Sequence, residues 1–168
     1  LAPEGRWVPL QPVNPDRGFG PELSFGHEMA RVCRDPVAMI KSAKGGSGLF
    51  DDWRPQDEED AATFTNLTIA DARKAMWTLT ADGYAPRFRG MIWYQGERDC
   101  RAANPAPDQY GNLLRVLLNR VRREIAGDET FPWAAFRVKP EKGNPPFFTQ
   151  IRQGIIYKSG TVTPTGRA

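Results

Sequence analysis

Apolar residues recur along this chain at two alternating periods, and that alternation restricts the fold more than any other feature. Short runs of strand-forming residues at 37–43, 90–94 and 132–138 are separated by longer stretches with helical spacing at 21–34, 68–82, 108–126 and 147–157. A strand that runs parallel to its neighbour needs a crossover of a dozen or more residues, usually a helix. The order helix, strand, helix, strand, helix, strand, helix therefore predicts an α/β fold with a parallel sheet and right-handed crossovers. The three runs are expected to lie side by side, with residues 108–126 packed across them.

Each helical stretch carries its own signals. Pro21 opens the first, at a position where a missing N–H costs nothing. Leu23, Phe25, Met29, Ala30 and Val32 share one broad face. Asp35-Pro36 ends it. Thr68 with Asp71 three residues on resembles a capping pair, and Ile69, Ala72, Met76 and Leu79 continue a stripe toward Asp82-Gly83. The longest stretch places Tyr110, Leu113, Leu114, Leu117, Val121 and Ile125 on one side. Arg115, Arg120, Arg122 and Arg123 fall mostly on the other, and Gly127 closes the helix. Residues 1–20 hold four prolines and three glycines, which predicts an extended loop. The tail at 160–168 is expected to be flexible. No internal repeat or second domain is visible, so the 168 residues read as a single domain.

Composition narrows the function classes. A net charge of +3, carried by scattered basic residues, argues against a nucleic-acid partner. No apolar run approaches the roughly 20 residues needed to span a membrane. Cys33 and Cys100 are the two cysteines, too few for a disulfide framework or a zinc site, and free thiols are expected. His27 is the one histidine. Asp51, Asp52, Asp57, Glu58, Glu59 and Asp60 form an acidic run without calcium-loop spacing, read as a solvated loop with Trp53 as its packing anchor. The sequence opens on Leu1 without a signal segment, as expected of a mature product or a fragment.

Functional groups concentrate at two strand ends. Met91, Ile92, Trp93 and Tyr94 are followed at once by Gln95, Gly96, Glu97, Arg98 and Asp99. Ligands in open α/β sheets bind outside the carboxyl ends of strands. The run at 37–43 likewise leads into Lys44-Gly45-Gly46-Ser47-Gly48, where backbone N–H groups can approach a ligand. The Gly-Lys-Ser/Thr ending of a phosphate loop is missing there. Two further constellations are weighed and disfavoured. Ser24 and His27 share a helix face but have no strained turn or oxyanion hole. Glu97 with Asp99 has the residue types of a glycosidase pair and nothing else.

Trp93-Tyr94-Gln95-Gly96-Glu97-Arg98-Asp99 resembles the Trp-Tyr-Gln-Gly-Glu-Ser-Asp block of the sialate O-acetylesterase and acetylxylan-esterase group, carbohydrate esterase family 6. Arg98 stands where that family shows Ser or Thr. Trp7-Val-Pro-Leu, Gly18-Phe-Gly-Pro-Glu-Leu, and residues 37–47 followed by Trp53 resemble other blocks of the family in the same order, so the resemblance spans most of residues 7–152. It implies an SGNH-type serine hydrolase: a three-layer, flavodoxin-like parallel sheet flanked by helices, acting on acetylated carbohydrate without metal or other cofactor, in a secreted or periplasmic setting. The family's nucleophile lies in a Gly-Gln-Ser-Asn block and its base in an Asp-x-x-His block. These 168 residues contain neither. The resemblance therefore implies a partial domain, incomplete at both ends, with no nucleophile or base of its own and inactive alone. By the same resemblance Gly45, Gly46 and Gln95 would form the oxyanion hole, with Glu97 and Asp99 supporting them. The reading of a different class is a non-catalytic carbohydrate-binding or interaction remnant of that fold; a zinc or nucleotide protein ranks third.

Overall fold

The structure, a computed structural model, describes residues 7–12, 20–101, 107–139 and 145–155. The remainder of the 1–20 loop, the 102–106 connection, the end of the 147–157 helix and the 160–168 tail lie outside the described residues. Within them the order is helix α1 (Glu22–Val32), helix α2 (Phe64–Ala81), strand β1 (Met91–Trp93), helix α3 (Tyr110–Val121), strand β2 (Trp133–Ala135) and helix α4 (Phe148–Gln153). Single π-helical turns at Leu49–Trp53 and Arg122–Ala126 add to them.

β1 and β2 pair in parallel, with Met91, Ile92 and Trp93 opposite Trp133, Ala134 and Ala135. The expected sheet is thus present in two of its three strands. Residues 37–43 are a correction: they form no strand. A strand requires a neighbour for its backbone N–H and C=O groups. This segment is tied by side chains instead: Met39 packs on Gly26 of α1, Lys41 pairs with Glu22, and Ser42 shares a hydrogen bond of 2.9 Å with Thr68 of α2.

The helices follow their sequence signals with two further corrections. The α2 cap lies five residues before the expected one. Thr63 is the cap, its Oγ1 accepting from the Asn66 N–H at 3.1 Å, while the Thr68 hydroxyl bonds back to the Phe64 carbonyl. The α1 stripe is not buried as a core face. Phe25 and Val32 stay exposed and Gly26 is the buried position.

α3 carries the core. Tyr110, Leu113, Leu114, Leu117 and Val121 are all buried, as their spacing predicts, and Ile125 packs against them half-buried. They join Trp93 of β1, Phe131 and Val138 on either side of β2, Ile151 of α4, and Leu49 and Trp53 of the first π turn. Trp53 is the anchor expected of it: its ring meets Phe64 and Trp93 edge-on at 4.6 and 4.7 Å. Arg120 is the exception to the two-sided reading of α3, since it is buried among the apolar positions. The acidic loop is less free than expected. Arg54 pairs with Asp57 and Asp60, and Arg123 with Glu58.

The effect on the site is direct. The core draws the turn after β1 and the loop before Trp53 against the amino end of α3, so both loops meet at one end of the sheet.

Candidate active site

The turn at 95–100 is shaped by Gly96. Its φ of +139° lies where only glycine sits without strain, and a Cβ there would come within 2.6 Å of Val138 Cγ2. The sharp turn sends the Gln95 side chain inward. A helical turn follows, with the Cys100 N–H bonded to the Gly96 carbonyl at 3.0 Å. That turn brings Asp99 back beneath Gln95.

Gln95 and Asp99 are buried together. Gln95 Nε2 donates to the Ser47 carbonyl at 2.8 Å and to Asp99 Oδ2. The Asp99 carboxylate also accepts from the Leu49 N–H, with both oxygens at 3.1 Å. Gln95 Oε1 accepts from the Tyr110 hydroxyl at 2.9 Å, and Trp93 Nε1 donates to that hydroxyl at 3.2 Å. The second loop is tied to the same network. Trp53 Nε1 donates to Ser47 Oγ at 3.3 Å, and Asp52 accepts from the Gly48 N–H at 2.9 Å while pairing with Lys44.

Of the residues named from sequence, Gln95 and Asp99 are thus in direct contact, and Ser47 places Gln95 one residue from Gly46. Gly45 and Gly46 form an exposed turn on the rim of this network, with open space where a Cβ would stand and φ +69° at Gly46. Glu97 is half-buried beside the turn. Ser24 and His27 lie exposed on α1, the Ser24 hydroxyl turned to the Pro21 carbonyl of its own helix. Cys33 is half-buried and Cys100 buried, and neither is in a disulfide. Among the described residues no cluster of three or more His, Cys, Asp or Glu is placed to hold a metal ion. A cavity of about 440 Å³ lined by Asn119, Arg122, Arg123, Gly127, Asp128 and Glu129 shares no residue with the Gln95 network.

Tyr110 is the site member that sequence reading missed. It was counted as one apolar position of the α3 stripe, and the signal was present: a hydroxyl-bearing residue in a row otherwise of Leu, Val and Ile. A buried phenol needs a hydrogen-bond partner.

Burial sets the protonation of both ionisable members. It pushes the Asp99 carboxyl above its ordinary value, against the pull of the bonds from Gln95 and from the backbone at Leu49 and Phe50. It pushes the Tyr110 hydroxyl well above its ordinary value, helped by the charges of Asp99 and Glu97. The folded chain therefore holds the Asp99 proton at a higher pH than the unfolded chain does. Asp99 then opposes folding above its raised pKa, and that penalty fades as the pH falls toward the ordinary aspartate value near about 4. Asp99→Asn removes this dependence. The stability gap between wild type and Asp99→Asn is expected to move in favour of wild type as the pH drops from 7 to about 4, read by urea midpoints at each pH. A gap that moves the other way would show Asp99 to be a stabilised carboxylate.

A family model described as "Carbohydrate esterase, sialic acid-specific acetylesterase" matches residues 5–163. No curated protein and no solved structure matches the chain. Since that model covers nearly the whole sequence, this chain belongs to the sialic acid-specific acetylesterase family of carbohydrate esterases.

Proposed function

We propose that the chain is the central part of an SGNH-type serine esterase domain that removes acetyl groups from sugars. The observation that carries this reading is the meeting of the Gly45-Gly46-Ser47 loop and the Gln95-Gly96-Glu97 turn through the 2.8 Å bond from Gln95 to Ser47. In such an enzyme a serine attacks the acetyl carbonyl and a histidine takes its proton. The oxygen becomes negative, and the sugar hydroxyl leaves with the proton returned. Water then releases acetate from the serine. The residues here serve the negative oxygen. Backbone N–H groups at Gly45 and Gly46, exposed on the loop, reach it from one side. Gln95 reaches it from the other by exchanging its bond to Ser47 for one to the oxygen. Such donors are worth about 3–4 kcal/mol each where they have been removed. Asp99 and Glu97 hold the turn.

The serine and the histidine come from sequence beyond these 168 residues, on either side of the partial domain. The sheet itself supports this. Ile92, Tyr94 and Phe136 leave an apolar face exposed, with the Tyr94 and Phe136 rings 5.2 Å apart. In a three-layer sheet that face lies under further helices. The family description points to sialic acid as the acetylated sugar.

Aryl acetate hydrolysis tests the reading. The 168-residue chain should show no more than trace turnover, and His27→Ala should leave that unchanged. The protein extended along its gene to include Gly-Gln-Ser-Asn and Asp-x-x-His segments should turn over, and Gln95→Ala should lower its kcat. Robust turnover by the short chain, lost in His27→Ala, would overturn the assignment in favour of the Ser24–His27 pair.

A further inference from the structure

We propose that Tyr110 is a positioning residue that fixes which way the Gln95 amide faces, so that Nε2 and not Oε1 is presented toward the Gly45-Gly46 loop. The inference rests on the reading of Gln95 as a donor to the acetyl oxygen.

An amide side chain can turn end for end at little cost unless its partners differ in kind. Here they do. The Ser47 carbonyl and the Asp99 carboxylate only accept, so each requires an N–H. The Tyr110 hydroxyl can donate or accept and would by itself tolerate either orientation. Trp93 removes that freedom. Its indole N–H only donates, and it donates to the Tyr110 oxygen at 3.2 Å. The phenolic hydrogen is then directed away from Trp93, toward Gln95 Oε1 and the Gln95 backbone carbonyl, each at 2.9 Å. Polarity thus runs one way from Trp93 through Tyr110 to Gln95 and on to Asp99 and Ser47. Tyr110 is 1% exposed, so water does not compete for these bonds. Burial also pushes the hydroxyl well above its ordinary value, so it is protonated at neutral pH.

The arrangement suits a donor that must be in place before the negative charge appears. Asp99 retains one Nε2 hydrogen. The other, on Ser47 at the rim, is the one released to substrate. Without the Tyr110 hydroxyl, Oε1 loses the partner that holds it inward. Once the Ser47 bond is given up to substrate, the amide is then anchored only at Asp99, and Nε2 can swing out of line with the developing negative charge.

Tyr110→Phe tests this, since it keeps the ring in the core and removes only the hydroxyl. In the 15N-labelled 168-residue chain, the Gln95 side-chain N–H pair is identified by its loss in Gln95→Ala. In wild type it should exchange slowly with solvent. In Tyr110→Phe its protection should fall about tenfold or more while backbone protection in α3 and β1 changes little. Leu114→Ala is the control, lowering backbone protection without this selective effect. Unchanged Gln95 protons in Tyr110→Phe, or a loss matched by the α3 backbone, would overturn the proposal. If Tyr110→Phe does not fold, Trp93→Phe reads the same polarity from the other end and must loosen the Gln95 pair. In the extended enzyme, Tyr110→Phe should lower kcat at least about tenfold with KM nearly unchanged, less than the roughly 10²–10³ of losing a donor outright. An unchanged kcat there would also overturn it. If the extended wild-type enzyme hydrolyses no acetyl ester, the esterase reading fails, and the exchange measurement still decides how Gln95 is held.

Discussion

Replacing Gly96 with alanine is expected to be among the most damaging single changes in this chain, lowering stability by about 2–6 kcal/mol. Two costs add. At φ +139° the backbone occupies a region that a residue with a Cβ enters only at about 1–3 kcal/mol. The new methyl would also stand 2.6 Å from Val138 Cγ2, 3.1 Å from Ile151 Cγ2 and 3.3 Å from the Tyr110 hydroxyl. Overfilling a packed core costs about 1–3 kcal/mol more. None of the three neighbours can give way freely, because all three are buried in the same cluster. For a chain of this size the loss corresponds to a fall in Tm of roughly 5–20 °C. The damage should extend to function, since any relief of the clash moves Tyr110 or the turn that carries Gln95. Gly45→Ala is the contrast. A Cβ at Gly45 meets nothing within 4 Å, so that variant should keep the wild-type Tm. Thermal unfolding of both variants decides the matter; equal and small shifts would mean that the turn relaxes at little cost.

The same turn shows what local sequence can and cannot reveal. A glycine after a short apolar run, followed by a polar cluster, is a local pattern that marks β1 and the Gln95 turn; the separate apolar run at 132–138 marks its parallel partner. The α3 stripe was equally local, because apolar residues at helical spacing have no other economical use. What escaped was set by distant partners. Residues 37–43 have the composition of a strand, but a strand is completed by its neighbour, and composition does not carry that information. The α2 cap went to Thr63 rather than Thr68 because the Asn66 side chain is claimed from a distance. It donates to the carbonyls of Asp57 and Asp60 and accepts from Arg120, which fixes where the helix begins. The Gln95–Ser47 and Asp99–Leu49 bonds each span about fifty residues of sequence. Order of motifs implied that these loops meet; the partners of each atom follow only from the fold. Tyr110 was visible as a core residue and invisible as a hydrogen-bond donor for the same reason.

Arg120 is where such a distant constraint should be measurable. Its side chain is 4% exposed, yet it carries a charge, and its guanidinium is matched at each end. Nε donates to Glu124 at 2.8 Å, one terminal nitrogen to Asn66 Oδ1 at 2.7 Å, and the other to the Pro55 carbonyl at 3.3 Å. These bonds join α3 to the start of α2 and to the acidic loop. Arg120→Ala would leave the Asn66 and Pro55 acceptors without their donor, while Glu124 keeps Arg73 and Arg123. With unsatisfied acceptors at about 1–3 kcal/mol each and the lost packing, it is expected to cost about 3–5 kcal/mol. Tm should fall by roughly 6–20 °C. Arg120→Lys keeps the charge but cannot serve partners on three sides, so it should recover only part of the loss. Acid supplies a second reading. The bond from Arg120 is the main reason the Glu124 carboxyl sits below its ordinary value. A carboxyl lowered on folding contributes stability above its ordinary pKa and loses it as the pH falls through the lowered value. The gap between wild type and Arg120→Ala should therefore narrow below about pH 4. Asn66→Ala combined with Arg120→Ala should cost less than the sum of the two, by about 0.5–3 kcal/mol, as expected of residues in one network. Strict additivity, or an Arg120→Ala variant as stable as wild type, would mean that the buried charge holds nothing in place.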